Sequence, residues 1–160
     1  MDQLLISDKV YFAKEPFGAT YNEAAPLLKL HFEEIAKNKD ILVAANPCVD
    51  MYKRAEDEGK LLLITARSHS RLVGYFLWVM IKHPHYEHLI VGEEDLHYLL
   101  PEYRKGMTGY LFMKFACQAA FDFGASMLTS REKIGHEHPA LMDRLGFKAT
   151  DIVYYKMAGR

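Results

Sequence analysis

The pattern of hydrophobic and polar positions changes period several times along the chain, and each change predicts an element. Residues 10–17 carry the apolar and aromatic side chains of a short first strand. Thr20, after Gly18, then reads as a helix N-cap, with Glu23 three residues later completing a capping box. Leu27, Leu28, His31 and Ile35 recur at helical spacing as far as residue 37, and Pro26 within them predicts a kink or a later start. Asn46 and Pro47 mark a loop, after which Asp50 caps a second helix over 51–58 that Gly59 stops.

From residue 61 the period becomes that of strands. An apolar run over 61–67, a polar turn over 68–71 and a Val-, Ile-, Tyr-, Phe- and Trp-rich run over 72–82 predict an antiparallel hairpin. Residues 83–88, with Pro84, read as a loop, and a third strand lies within 94–100, stopped by Pro101. Tyr110, Leu111, Lys114, Phe115, Gln118, Ala119 and Asp122 trace a helix that ends near Gly124. A short strand over 126–130, a short helix over Pro139–Leu145 closed by Gly146, and a last strand or strand pair over 148–157 complete the chain. A hairpin followed by strand–helix–strand units predicts an α/β (α+β) fold on a mixed, mostly antiparallel sheet.

Length and composition narrow the class. A chain of 160 residues with no repeat and no linker-like stretch is one domain, 1–160. Hydrophobic residues at 50% and charged residues at 26% exclude a disordered tail, a collagen-like chain and a simple coiled coil. A net charge of −1 argues against bulk electrostatic binding to nucleic acid or to an anionic membrane. The longest apolar runs fall short of the ~20 residues of a membrane helix. Met1-Asp2-Gln3 lacks the basic start of a signal peptide. Cys48 and Cys117 have no metal-like spacing and read as free thiols of a cytoplasmic protein.

The chemistry concentrates in residues 96–110. A strand there ends at Pro101, and a basic turn with Arg104, Lys105, Gly106 and Gly109 opens a helix. Such a turn gathers unpaired backbone N–H groups at the positive end of a helix dipole, which suits a diphosphate; the plainer alternative is a solvated strand-to-helix turn. Pro101-Glu102-Tyr103-Arg104, the glycine turn and the long apolar helix resemble the acetyl-CoA-binding motif of the GNAT superfamily of N-acetyltransferases. That motif runs Gln/Arg-x-x-Gly-x-Gly/Ala. Arg104 and Gly109 fit its ends, whereas Met107 stands where its first glycine is expected and Gly106 is displaced by one. The element order over residues 10–157 is similar to the family's, and residues 138–147 resemble its C-terminal helix and Gly-Phe. Residues 30–36, 83–86 and 95–104 look most like acetyltransferase-like proteins of tailed bacteriophages.

The resemblance implies an acetyl-CoA-dependent N-acetyltransferase that acts directly on a primary amine of a small molecule or protein. It also implies a strand splayed from its neighbour to receive the pantetheine arm, with Leu99 and Leu100 offering backbone groups. The amides of Lys105, Gly106, Met107, Thr108, Gly109 and Tyr110 would hold the pyrophosphate, and Arg104 would add charge. An amine of pKa ~10.4 costs about 4–5 kcal/mol to deprotonate at pH 7, so a base is needed. Strand alternation puts Glu93, Asp95 and His97 on one face, and these are the base candidates; the alternatives are a merely solvated acidic turn and a bulge that breaks the parity. The family's usual acid, a tyrosine four residues before the Gly of Gly-Phe, is Met142 here, so Tyr154 or Tyr155 on the last strand, or water, would protonate the thiolate.

His31, with Glu34 at i+3, is either a core histidine with a carboxylate partner or a wall of the acceptor pocket. His85 belongs to an H-x-H-x-x-H loop that reads as a structural loop or one beside the acceptor; its spacing matches no strong metal motif, and no metal is expected. Arg67 and Arg71 read as solvated. Many such domains dimerise, so a homodimer is the oligomer to look for. Met107 and Met142 also motivate a second reading, a catalytically silent protein that keeps the fold as a binding or virion component.

Overall fold

The computed structural model describes residues 3–7, 10–36, 45–154, 156 and 158. Strands β1 (Gln3–Ser7), β2 (Val10–Glu15), β3 (Leu61–Ser68), β4 (Arg71–His83), β5 (Tyr86–Leu99) and β6 (Met127–Thr129) lie side by side in chain order. Strands β1 to β5 pair antiparallel in succession, with short turns joining β3 to β4 and β4 to β5. Strand β6 joins β5 in parallel after the crossover helix α3 (Thr108–Asp122). Helices α1 (Phe17–Ile35) and α2 (Val49–Asp57) lie between β2 and β3 in sequence, and α4 (Pro139–Leu145) follows β6.

The near-continuous apolar run of β4 is buried on both faces, as such a run requires. On one face Phe76 and Trp78 meet Phe12 and the α3 side chains Phe112, Phe115 and Ala116, with Phe12 and Phe112 centroids 4.9 Å apart. Trp78 is fully buried and donates its indole N–H to the Ala116 carbonyl at 3.0 Å. On the other face Tyr75 and Leu77 meet Phe17 and Tyr52 of α1 and α2. Gly74 permits the β4–β5 approach, because a Cβ there would stand 2.7 Å from the Tyr98 carbonyl oxygen.

Several expected boundaries move. The strand at Val10 is the second, since β1 precedes it. Helix α1 begins at Phe17 and runs through Pro26, so Thr20 and Glu23 form no capping box. Thr20 instead donates to Glu15, while Glu23 accepts from Arg67 and from the Leu72 N–H. The first turn of α1 is capped from a distance by Glu56 of α2, which accepts from the N–H groups of Phe17 and Gly18. Cys48, not Asp50, is the N-cap residue of α2. Arg67 is not solvated: its side chain is 13% exposed and pairs with Glu15 and Glu23, and its guanidinium holds both carboxyls below the usual carboxylate range. Strand β5 begins at Tyr86, well before residue 94. The last expected strand is missing from residues 148–154; Tyr155 and Met157 lie outside the described residues.

Candidate active site

The site begins where two strands part. Strand β5 pairs with β4 along most of its length but with β6 only through Val91↔Met127, Gly92↔Leu128 and Glu93↔Thr129. Beyond Glu93 it continues to Leu99 without a described strand on its second side. An unpaired strand edge is a template for an extended ligand arm. At the same point β5 bulges: Trp78 faces Glu94 and Leu77 faces Leu96, so Asp95 is the extra residue.

The bulge redistributes the acidic residues. Expected alternation grouped Glu93, Asp95 and His97, but Glu94 and His97 are the pair that meet, on the α3 face. His97 stacks on Phe76 with centroids 5.4 Å apart, and its Nδ1 hydrogen bonds to the Glu94 carboxylate. Ser130, just past β6, donates to the other Glu94 oxygen, so one carboxylate spans the parting strands. The Glu94 side chain is 5% exposed and that of His97 39%. Burial alone would lower the His97 pKa; the hydrogen bond and charge of Glu94 outweigh it and raise it. Asp95 lies on the α1/α2 side and accepts a 2.7 Å hydrogen bond from the Tyr52 hydroxyl. Burial, and then that bond, push the Tyr52 pKa well up, so it stays a neutral donor. Glu93 makes a 3.4 Å contact with the exposed Arg131.

Between α1, α2 and the sheet is an open cavity of about 40 Å³, whose wall includes Tyr52, the donor to Asp95. Phe17, Tyr21, Leu28, Tyr52, Tyr75 and Leu96 line it, and its wall is apolar carbon. His31 packs beside it, buried, with Nδ1 2.8 Å from the Tyr75 hydroxyl and its ring stacked on Tyr98. Burial, helped by the nearby His97, lowers its pKa to about 4, so His31 is neutral. The expected His31–Glu34 pair does not form. Glu34 instead holds Arg104 with two hydrogen bonds of 2.6 and 2.8 Å.

That ion pair changes what the turn offers. The Arg104 Nε also donates to the Leu99 carbonyl at 2.6 Å, so its head ties the turn to α1 and β5. The Leu100 N–H goes to the Val73 carbonyl, and the Leu100 carbonyl accepts from Tyr103. These groups of Leu99 and Leu100 therefore have protein partners already. The turn itself stays open. Gly106 takes φ +63, a left-handed conformation that favours glycine. The Leu111 N–H bonds to the Met107 carbonyl and opens the α3 ladder. Thr108, Gly109 and Tyr110 thus point first-turn N–H groups out of the helix end. Lys105 is exposed, and the 42% exposed Met107 accepts a 3.7 Å contact from Arg144.

Arg144 of α4 is a charge that the sequence reading missed. Its guanidinium lies 4.3 Å from the Tyr110 ring centroid, beside the turn. Only its place in the last turn of a short helix, near nothing in sequence, hinted at it. Two expected residues are not brought here. His85 occupies the β4–β5 turn, ten residues and roughly 33 Å along the strand from Asp95. Tyr154 is 86% exposed and, without its strand, has no path to the gap. Among the described residues no three metal-binding side chains converge.

Compared by sequence alone, the chain matches no protein-family model and no curated protein. Its structure is similar to an aminoglycoside acetyltransferase from an uncultured soil metagenomic sample, in complex with sisomicin. The TM-score is 0.72 at 10% identity, covering 97% of this chain and 100% of that one. It is similar to the ribosomal-protein-alanine N-acetyltransferase of Brucella melitensis, with TM-score 0.68 at 18% identity, covering 94% and 99%. A predicted acetyltransferase of Clostridium acetobutylicum with acetyl-CoA gives TM-score 0.68 at 10% identity, covering 92% and 96%. The parted strands, the bulge and the open turn thus sit in a chain with the fold of the GNAT N-acetyltransferases.

Proposed function

We propose that this protein transfers the acetyl group of acetyl-CoA to a primary amine. The observation that carries the reading is the parting of β5 and β6 after Glu93↔Thr129, with the Asp95 bulge at the fork and the open turn beyond it. The N–H groups of the turn from Lys105 to Tyr110 hold the pyrophosphate at the α3 dipole, with Arg144 rather than Arg104 as the nearby guanidinium. The pantetheine arm lies along the gap edge of β5, short of the engaged groups of Leu99 and Leu100.

In the reaction the amine's N–C bond forms as the thioester's C–S bond breaks. Asp95 receives the ammonium proton, directly or through water, and Tyr52 steadies its carboxylate. His97, kept protonated by Glu94, gives a proton to the departing sulfur and takes the place of the tyrosine that Met142 replaces. The nitrogen sheds two protons in all: the first leaves through Asp95 to solvent, and the second, lost as the N–C bond forms, makes good the one that His97 gives to sulfur, so the products are an acetamide, a thiol and one free proton. The helix content offers no segment long and apolar enough to cross a membrane among the described residues, which suits catalysis on dissolved amines.

Calorimetric titration with acetyl-CoA tests the first half of this reading, and thiol release in the presence of amines tests the second. Saturable binding and amine-dependent thiol release that disappears in Asp95→Asn are expected. Absence of any heat at millimolar acetyl-CoA would overturn the proposal.

A further inference from the structure

We infer that Ser130 is a positioning residue for the proton that leaves with sulfur: its hydroxyl orients the Glu94 carboxylate, and Glu94 holds His97 by Nδ1 so that the transferable proton is the one on Nε2. The inference rests on the acetyltransferase reading and adds to it a residue that acts through another.

The place of Ser130 in the fold carries the argument. The backbone ladder between β5 and β6 ends at Glu93↔Thr129. One residue further on, side chains continue the link across the fork, because the Ser130 hydroxyl donates to Glu94 Oε2. Arg131 reaches back to Glu93 as well, but at 3.4 Å and from an exposed position, where such a pair adds little.

A buried carboxylate needs a donor for each oxygen. Glu94 is buried, and its two oxygens are divided between Ser130 and His97 Nδ1. A hydroxyl on Oε2 fixes the rotation of the carboxylate and leaves Oε1 facing the imidazole. A carboxylate only accepts, so Nδ1 carries a hydrogen in both charge states of the ring. The hydrogen that His97 can give up is therefore the one on Nε2. Stacking on Phe76, with the ring planes 15° apart, holds the imidazole in that orientation. In the transfer, Nε2–H passes to the departing sulfur, the second proton lost by the amine nitrogen restores it, and Nδ1–H stays on Glu94 throughout.

The groups around His97 agree with this arrangement. Burial and Arg104 oppose its charge, while Glu94 and then Glu132, from the loop after β6, favour it and prevail. His31, on the α1 side, is neutral. Cys117 of α3, which faces Glu94, keeps its proton because burial pushes its pKa up to about 12. Removing the Glu94 charge leaves Glu132 as the smaller counterweight to burial.

NMR titration of the histidine side chains and steady-state kinetics test this together. Glu94→Gln is expected to bring the His97 pKa below 6.5, with His97→Gln identifying its signals, and to lower kcat at pH 7.5 about 30-fold. Ser130→Ala is expected to lower kcat about fivefold with both KM values unchanged, and Ser130→Thr, which keeps the hydroxyl, to recover most of it. In a Glu94→Gln background, Ser130→Ala is expected to cost less than about twofold more, because the two residues act as one unit. Losses that multiply, an unchanged kcat in Ser130→Ala, or a His97 pKa that stays above 6.5 in Glu94→Gln would overturn the inference. The Nδ1–H proton of His97 needs no turnover to be seen. It is expected as a downfield resonance, sharp in the native protein, broadened in Ser130→Ala and absent from Glu94→Gln. If that pattern appears while acetyl-CoA gives no heat, the positioning stands and the transferase reading falls. If thiol is released with amines but the resonance is the same in all three proteins, the positioning falls alone.

Discussion

His31 and His97 lie close enough to repel each other's charge, yet their surroundings push them in opposite directions. Burial holds His31 neutral, with a pKa near 4 against 6.5 for a free imidazole. A histidine whose folded pKa is depressed is protonated more readily in the unfolded chain, so folding stability falls as pH drops from 6.5 toward 4. Over that window the loss amounts to about 3 kcal/mol. Urea titrations at successive pH values should show it, and His31→Gln should flatten the curve there. His97 has the raised value, so its proton is lost only as pH rises above 6.5. If it serves as the acid, kcat declines through that higher pH, and His97→Gln lowers kcat about 100-fold and removes the decline. A pH–rate series on both proteins decides this. Glu93, Asp95 and His97 were visible as candidates in the sequence, but the pairing of His97 with Glu94 was not. Alternation assigns faces correctly only along an unbroken strand, and one extra residue at Asp95 exchanges the partners.

At the scale of elements, most strands and helices could be read because their apolar periods are long. Helix α4 and its left-handed Gly146 match their expected places residue for residue. The failures lie at ends, where local signals compete with distant ones. The Thr20–Glu23 signal resembled a cap, but Glu56, far away in sequence, satisfies the N–H groups of Phe17 and Gly18 and lets α1 start earlier. No local rule can anticipate a cap supplied across 38 residues. Glu56→Ala should therefore cost about 1 kcal/mol of stability, the worth of a helix cap, read as a lower urea midpoint at an unchanged slope. The C-terminal residues failed differently. Their Ile-Val-Tyr-Tyr run has the composition of a strand, yet Ile152, Val153 and Tyr154 are exposed and pair with no strand. Composition states what a strand would accept, not whether an edge is offered.

At the scale of the whole molecule, the turn is held from the opposite end of the chain. Arg104 reaches Glu34 across 70 residues and so joins α1 to the mouth of the gap. Both side chains are a third or more exposed, so the pair itself adds at most about 1 kcal/mol to stability. Its importance is positional. Arg104→Met should leave the melting temperature within a few degrees while weakening acetyl-CoA binding about tenfold, as the turn loses its anchor to α1 and the Leu99 carbonyl. Parallel calorimetry and thermal melts separate these effects. The fold class was legible in the order of elements; this clamp was not, because an arginine in a glycine turn looks the same in sequence whether it faces a phosphate or a glutamate. Trp78, the single tryptophan of the chain, is sealed between the sheet and α3 with its N–H on the Ala116 carbonyl. The folded protein should accordingly fluoresce at short wavelength and resist quenching by iodide. Every denaturation experiment above then has a built-in optical probe on the face of the sheet opposite α1 and α2.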